Sequence, residues 1–341
     1  MKRVLSDQIV VDVTPPELVF RLPNRLHTAV YWRWLYYCEY AIRRFYWRSE
    51  RTLVHHFHSE NTMLRDDRWK RHHLLVATVH QPFEELLRPV PGHPSRPKFL
   101  NALRACDAVI ALSECERPVI DQFLGDRRTV AIPQGVDCAF FRPPTFPRAH
   151  VEPPRVLTVG NWLRDYDTWC ETAKIVLDRH PTVRFAVVAN AENHRLIRTR
   201  LAERLSRIEL HHGISDDELV NLYWNSRMVF LPLRHAVMNN AVLESLATGT
   251  PLVATDIPSV REYAGPAGIY VPRNDAESAA ESILALLGET EELETRSAQA
   301  RERAVSRYDW PIIADLHRQL YRRLYGESSD SLSQRGAAIG A

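Results

Sequence analysis

The sequence has few cysteines and no long apolar run. Five cysteines occur among 341 residues, and none forms a Cys-x-x-Cys pair or a spacing typical of a metal site. This pattern predicts a reducing compartment and no disulfide framework. No run of about 20 apolar residues exists, so we expect no membrane-spanning helix. The first residues lack the apolar core of a signal peptide, and we therefore expect a cytoplasmic protein.

Excess charge and early glycines are also missing. The net charge is +2, which gives no global attraction to polyanions and argues against a nucleic-acid partner. No glycine precedes Gly92, so a tight glycine-rich phosphate loop is not expected near the N-terminus. A hydrophobic fraction of 45% and a charged fraction of 25% are typical of globular proteins.

A proline-rich segment divides the chain. Residues 142–155 read RPPTFPRAHVEPPR and contain five prolines, which is typical of a linker. The length fits two domains of roughly 150 residues each. We expect an N-terminal domain at 1–142, a linker at 143–154, a second domain at 155–305, a helix at 306–326 that packs back on the first domain, and a flexible tail at 327–341.

Short apolar, β-branched runs alternate with helical patterns on both sides of this linker. This alternation predicts an α/β fold with parallel sheets covered on both faces, and two doubly wound domains facing a cleft. The strands are predicted at 8–13, 52–58, 73–80, 107–113, 129–135, 155–160, 183–190, 208–213, 227–233, 250–256 and 267–272, and helices at 168–180, 192–206, 216–225 and 240–248.

The segment HAVMNNAVLESLATGTPLVATD, residues 235–256, has the strongest functional pattern. Asn239 or Asn240 suits an N-cap, and Gly249 closes the short helix that follows. A helix start offers free N–H groups and a positive dipole end, which favour phosphate. Glu244 lies little more than one turn into this helix, where a carboxylate can accept hydrogen bonds from a ribose diol. The alternative is a solvated glutamate that complements the helix dipole.

Several motifs of the second half resemble one family. They are RVLTVGNWLRDYDTWCETAKIV, HHGISDDELVNLYWNSRMVFLPL, LESLATGTPLVATDIPSVREY and SRYDWPIIADLHRQLYRRLYG, together with VAIPQGVDCAFFRPP in the first half. They resemble motifs of GT-B glycosyltransferases, family 4 in particular (glycosyl transferases group 1). The resemblance covers about 107–326.

The resemblance implies a GT-B architecture of two Rossmann-like domains. It also implies transfer of a sugar from a nucleoside diphosphate sugar to an acceptor, with retention at the anomeric carbon, no metal and no cofactor. Catalytic roles would fall to His80, Arg164 and Glu244. The nucleotide-sugar site would include Gly160, Asn161, Arg164 and Asn190, the loop residues Gly213 and Ile214 at the base, and His235, Asn239, Asn240, Ala241 and Glu244, the last at the ribose.

The sequence departs from the family pattern at three site positions. Ala236 stands where the first glutamate of the E-x7-E motif is expected, so His235, Asn239 or Asn240 would have to supply polar contacts. Asn161 and Tyr166 stand where the family has an arginine and a lysine. Arg164 is then the nearest cation for a diphosphate, although it could also be a solvated turn residue.

Two apparent metal motifs have simpler explanations. Asp165-Tyr166-Asp167 matches a D-x-D pattern but directly precedes a helix, so we predict that Asp167 is an N-cap. His55, His56 and His58 lack a completing cysteine or carboxylate, and only two of them share a strand face. No metal site is therefore predicted, and this histidine-rich strand is expected to line the cleft.

The segment at 27–51 is aromatic and basic, and it is predicted to be a helix. It could recognise the acceptor, whether a small molecule, a glycan or a lipid-linked molecule, and make a peripheral contact with the inner membrane face. The alternative is a core helix whose arginines reach water. Two other functions stay open for the whole chain: a non-catalytic GT-B scaffold, motivated by Ala236 and the missing cations, and a sugar-nucleotide epimerase.

Overall fold

The computed structural model describes residues 53–56, 74–88, 95–146 and 151–339. Its described residues form two units, one running up to Ile132 and resuming at Ala314, and the other spanning Pro133–Ile313. The predicted strand at 8–13 and the aromatic, basic segment at 27–51 lie outside the described residues. None of the helices in the described ranges is both long and apolar enough to cross a membrane.

The N-terminal unit contains a four-stranded parallel sheet in its described part. The strands are β1 (Leu53–His56), β2 (Leu74–Val79), β3 (Ala108–Ala111) and β4 (Thr129–Ala131), and they pair in chain order. The helices are α1 (Phe83–Leu87), α2 (Ser95–Arg104) and α3 (Arg117–Leu124). All residues of β2 and β3 are buried, which accounts for sequences that are apolar at every position except Thr78.

The C-terminal unit contains a six-stranded parallel sheet in its described residues. Its strands are β5 (Arg155–Val159), β6 (Arg184–Val188), β7 (Ile208–His211), β8 (Met228–Leu231), β9 (Leu252–Thr255) and β10 (Gly268–Val271). Their spatial order is β10-β9-β8-β5-β6-β7, the doubly wound order of a dinucleotide-binding fold. The α/β class expected from the sequence is therefore confirmed.

Helices cover both faces of this sheet. They are α4 (Tyr166–Arg179), α5 (Ala191–Arg200), α6 (Asp216–Trp224), α7 (Asn240–Ala247), α8 (Pro258–Ala264), α9 (Ala276–Gly288) and α10 (Thr290–Arg307), and α11 (Trp310–Ile339) follows. Alternate residues of β5 enter opposite cores: Val156 packs with α4 and α9, whereas Leu157 packs with α6, α7 and α10. Burial on both faces explains why an inner strand such as β8 is apolar throughout.

Several boundaries differ from those expected. The helix predicted at 192–206 ends at Arg200, because Leu201 leaves the helical conformation at φ −123° and a 3-10 turn follows. The division between the units falls before residue 133, ahead of the proline-rich segment, because Val136 and Cys138 pack in the C-terminal core. Helix α11 continues to Ile339, through most of the predicted tail.

Candidate functional site

The strand order places a crevice at the carboxyl ends of β5 and β8. These strands are neighbours, but the chain continues from β5 to one side of the sheet and from β8 to the other. The connecting helices consequently leave on opposite faces, and ligands of such sheets bind where they part. Five of the twelve predicted site residues lie in the segments that follow these two strands, at 160–165 and 232–239.

Backbone contacts join these two loops. Arg164 and Leu233 form an antiparallel bridge, and the Asp165 N–H donates to the Pro232 carbonyl at 2.9 Å. The Arg234 N–H donates to the Leu163 carbonyl, also at 2.9 Å. The two loops at the crevice are therefore joined by backbone hydrogen bonds, which do not depend on the side chains.

The Arg164 guanidinium reinforces this junction. Its Nε donates to the Val159 carbonyl at 2.9 Å, its Nη1 to the Trp162 carbonyl at 3.1 Å, and its Nη2 to Asn239 Oδ1 at 2.9 Å. A guanidinium has five N–H groups, so two remain for a ligand once these three bonds are made. Burial lowers the pKa of Arg164, while nearby Tyr166, Tyr223 and Glu244 act in the opposite direction.

Gly160 makes room for this guanidinium. Its φ is +108°, in the region that favours glycine, and a Cβ there would lie 2.5 Å from Arg164 Nη2. The Gly160 carbonyl accepts a hydrogen bond from the Tyr166 hydroxyl at 2.7 Å. Tyr166, which replaces the expected lysine, is thus a buried support of the loop, and burial raises its pKa.

Asn239 is the N-cap of α7, which confirms one of the two predicted caps. Its Oδ1 accepts the Ala241 N–H at 3.0 Å as well as the Arg164 guanidinium. The N–H of Ala241, which we expected to be open to a phosphate, is therefore occupied in this structure. Asn240 is exposed, and its Oδ1 accepts a hydrogen bond from Gln134 Nε2 at 2.7 Å.

Glu244 lies on the same helix and is paired with a tyrosine. The hydroxyl of Tyr223, a fully buried residue of α6, donates to Glu244 Oε2 at 2.8 Å. Burial raises the pKa of Glu244, although the Tyr223 hydrogen bond and the charge of Arg164 lower it. Glu244 is thus a partly desolvated carboxylate beside a cation, and not the solvated helix residue of the alternative interpretation.

Asn161 and Asn190 meet at the start of α5. Asn161 Oδ1 accepts the Asn190 N–H at 2.5 Å and a hydrogen bond from Asn193 Nδ2 at 3.3 Å. Asn190 is the N-cap of this helix, and its side chain accepts the Asn193 N–H at 2.9 Å. The Asn161 oxygen is therefore directed to the helix start, which leaves the amide nitrogen of this exposed residue for a ligand.

The other predicted residues are more dispersed. Gly213, at φ +66°, and Ile214 form the loop between β7 and α6. His235 follows β8 and is half-buried, and its Nδ1 is buried without a hydrogen bond to any residue in the described ranges. His80 directly follows β2 in the N-terminal unit.

The Asp165-Tyr166-Asp167 motif serves the fold. The predicted N-cap Asp167 is wrong by two residues, because α4 begins at Tyr166 and Asp165 accepts the Thr168 N–H and hydroxyl. Asp167 instead forms ion pairs with Arg200 and Arg234. Within the described ranges, no group of three metal-ligating side chains occurs.

His55 is also held by structural contacts. Its two ring nitrogens hydrogen-bond to the Tyr321 hydroxyl at 2.5 Å and to the Thr78 hydroxyl at 2.7 Å. The ring of His317, on the same helix as Tyr321, stacks on it with ring centroids 5.5 Å apart. The expected cleft-lining role is not supported for this residue, because both of its nitrogens are bonded inside the N-terminal unit.

Comparison with known proteins places this site in a family context. Residues 153–289 match the family model described as glycosyl transferases group 1. A glycogen synthase from Mycobacterium tuberculosis is 25% identical over 238 residues, which are 64% of this chain and 55% of that protein. A phosphatidyl-myo-inositol mannosyltransferase from Mycobacterium leprae is 35% identical over 82 residues, which are 24% of this chain and 22% of that protein. The chain thus spans about half of the glycogen synthase's length.

Solved structures show the fold. Sucrose-phosphate synthase from Thermosynechococcus elongatus superposes with a TM-score of 0.70 at 21% identity, covering 87% of this chain and 79% of that chain. Anabaena HepE, solved in complex with UDP and glucose, gives a TM-score of 0.59 at 18% identity, covering 74% of this chain and 72% of that chain. The GT-B fold predicted from the sequence is confirmed.

Proposed function

We propose that this chain, which has the GT-B fold and carries a glycosyl transferases group 1 domain, transfers a sugar from a nucleoside diphosphate sugar to an acceptor. The observation that carries the proposal is the junction between the loops that follow β5 and β8. There a half-buried cation (Arg164), a helix start (Asn239) and a partly desolvated carboxylate (Glu244) come from two loops and one helix. These are the groups that a diphosphate and a ribose require.

Arg164 is proposed to bind the diphosphate. Three of its five N–H groups donate to Val159, Trp162 and Asn239, so two remain for the diphosphate. The same three bonds already orient the guanidinium. Negative charge grows on the leaving diphosphate as the glycosidic bond breaks, and a preorganised donor stabilises that charge without reorganisation. The start of α7 adds a positive dipole end at the same place.

Glu244 is proposed to bind the ribose. Its Oε1 accepts no hydrogen bond from the described part of the chain, whereas Oε2 is bonded to Tyr223. The base would then lie towards Gly213 and Ile214, with Asn161 and Asn190 between that loop and the diphosphate. These last assignments rest on the family resemblance and on the shared edge of the sheet.

His235 is proposed to contact the donor sugar in place of the missing glutamate. The Ala236 methyl group is buried and offers no hydrogen bond, but the adjacent His235 Nδ1 is buried and lacks a partner within the described residues. An unsatisfied buried nitrogen costs free energy that a sugar hydroxyl would recover. We further propose retention at the anomeric carbon without a metal, as the resemblance implies, with His80 assisting at the sugar.

A donor panel tests this function. Purified protein is mixed with UDP-, GDP- and ADP-sugars, and nucleotide release and sugar identity are followed by mass spectrometry. Slow release of free nucleotide supports a transferase, and an epimerised sugar supports the epimerase. Absence of both binding and turnover would favour the non-catalytic scaffold.

The acceptor is proposed to meet the segment 27–51, in a cytoplasmic protein that contacts the inner membrane face peripherally. Replacing Arg43, Arg44 and Arg48 by Gln removes three charges while keeping helix propensity. We expect unchanged donor affinity but weaker binding to anionic vesicles or slower transfer. Equal vesicle binding and equal transfer would instead support a core helix.

A further inference from the structure

The Tyr223 hydroxyl is buried beside the proposed ribose carboxylate. Tyr223 is fully buried in the core between α6, α7 and the sheet, and its hydroxyl lies 2.8 Å from Glu244 Oε2. The Ala241 carbonyl is a second acceptor in reach, at 3.5 Å. Because the single phenolic proton favours the shorter, charged acceptor, the hydroxyl donates to the carboxylate.

This hydrogen bond determines both the orientation and the charge of Glu244. Because Tyr223, a rigid core residue, holds Oε2, the Glu244 carboxylate cannot rotate freely. Its Oε1 therefore points in one fixed direction. The bond also favours the ionised form, against the burial that raises the Glu244 pKa. Arg164 acts in the same direction as the tyrosine, through its charge.

We propose that Tyr223 is a positioning residue that makes this site selective for a ribonucleoside diphosphate. The inference rests on the proposed function, because it assigns the ribose hydroxyls as the donors to Glu244 Oε1. With Oε2 occupied, the carboxylate presents one fixed acceptor. A ligand without ribose hydroxyls leaves that partly desolvated acceptor unpaired, which is the basis of strong discrimination.

Tyr223→Phe removes the hydroxyl and keeps the ring in the core. Binding of UDP, GDP and ADP is measured by calorimetry against their 2′,3′-dideoxy counterparts, and the base that the wild type binds best is used. We expect the wild type to prefer the ribonucleotide by at least about tenfold, which corresponds to about 1.4 kcal/mol. In the variant this preference should fall below about threefold, and affinity should be lost at a higher pH than in the wild type.

Two further variants separate positioning from simple loss of structure. Tyr308→Phe removes another buried tyrosine hydroxyl, which donates to the Glu262 carbonyl at 3.3 Å, and should leave the ribose preference intact. In a Glu244→Ala background, Tyr223→Phe should cause no additional loss of preference, because the two residues act through one contact.

The outcomes are distinguishable. If the wild type binds none of the nucleotides, the proposed function fails and this inference fails with it. If the wild type binds nucleotides without a ribose preference, or if Tyr223→Phe keeps that preference, the positioning role is wrong while the nucleotide site stands. An equal additional loss in the Glu244→Ala background would likewise overturn the inference, since Tyr223 would then act elsewhere.

Discussion

Arg164 Nη2 donates to Asn239 Oδ1 at 2.9 Å, and the same oxygen accepts the Ala241 N–H at 3.0 Å. One amide oxygen thus joins the cation after β5 to the first turn of α7. The proposed diphosphate donor and the helix that bears Glu244 are consequently held in one hydrogen-bonded unit. A substitution at Arg164, Asn239 or Glu244 should therefore alter the positions of the other two residues.

Arg164→Lys should lower both stability and turnover. A lysine ammonium cannot reach three acceptors in the fork geometry of a guanidinium, so we expect a loss of about 1–3 kcal/mol in the free energy of unfolding. Turnover with an accepted donor should fall about 100-fold, because the diphosphate loses an oriented donor. Denaturant unfolding and initial rates measure the two effects.

Arg234→Lys is the matched control. Arg234 follows Leu233 in the partner loop, but its side chain is 60% exposed and pairs at the surface with Asp167. Its replacement should change stability by less than about 0.5 kcal/mol. Equal effects of the two substitutions would mean that the network around Arg164 has no special role.

Gly160→Ala should displace Arg164. At φ +108° an alanine is strained, and its Cβ would lie 2.5 Å from Arg164 Nη2. Gly213→Ala is the control for backbone strain without a clash, since Gly213 has φ +66° and a Cβ added there would have no atom within 4 Å. We expect Gly213→Ala to lower the free energy of unfolding by about 1–2 kcal/mol. Gly160→Ala should lower it by about 1–3 kcal/mol more, because hydrogen bonds of Arg164 are broken. Equal losses in thermal or denaturant unfolding would argue against the clash.

The sequence predicts the strands of the described ranges well but not their order. Continuous apolar runs such as 228–231 identify buried parallel strands, because both faces of the sheet are covered. The pairing of β5 with β8 joins segments that are distant in the chain, such as Val156 and Met228, and no local pattern encodes that choice. Likewise, the apolar spacing continues through Leu201 and Leu205, so the end of α5 at Arg200 could not be predicted from periodicity.

The local placement of the candidate residues could be predicted better than their contacts. Asn239 as a cap and Glu244 near a helix start follow from local rules. Arg164 is held by the backbone carbonyls of Val159 and Trp162. Every residue has a backbone carbonyl, so no side-chain pattern in the sequence indicates these contacts. Tyr223 was missed as a partner of Glu244 because the contact depends on the packing of α6 against α7, although its place in the ELVNLY segment was a usable signal.

His194 should make folding stability sensitive to mild acid. It is buried, and burial lowers its pKa, with Arg198, His212 and His211 acting in the same direction and a backbone hydrogen bond with Val187 acting against them. When the pKa of a histidine is lower in the folded state than in the unfolded state, its full contribution to folding stability is present above the unfolded-state pKa of about 6.5. That contribution is lost as the pH falls through the folded-state pKa. We expect the melting temperature to drop between about pH 7.5 and about pH 5. In His194→Gln that drop should be smaller, and an identical drop in both proteins would assign it to other groups.

Glu244 should impose a pH dependence on nucleotide binding. Burial raises its pKa above the ordinary glutamate value of 4.5. The ionised form accepts ribose hydroxyls best, so affinity should be complete above the raised pKa and should fall as pH decreases through it. The loss therefore begins at a higher pH than an exposed glutamate would give. Calorimetry with the preferred nucleoside diphosphate from about pH 8 to about pH 5 measures this, in a buffer series of constant ionic strength.

Glu244→Gln is the control for that titration, because it keeps the side-chain volume and removes the ionisable group. Its affinity should already be about tenfold weaker at about pH 8, since a charge-assisted hydrogen bond becomes a neutral one. The part of the pH dependence that belongs to Glu244 should also disappear, leaving the ionisation of the phosphate and of groups such as His194. If the wild type and Glu244→Gln lose affinity in parallel as pH falls, the carboxylate does not contact the nucleotide and the ribose assignment is wrong.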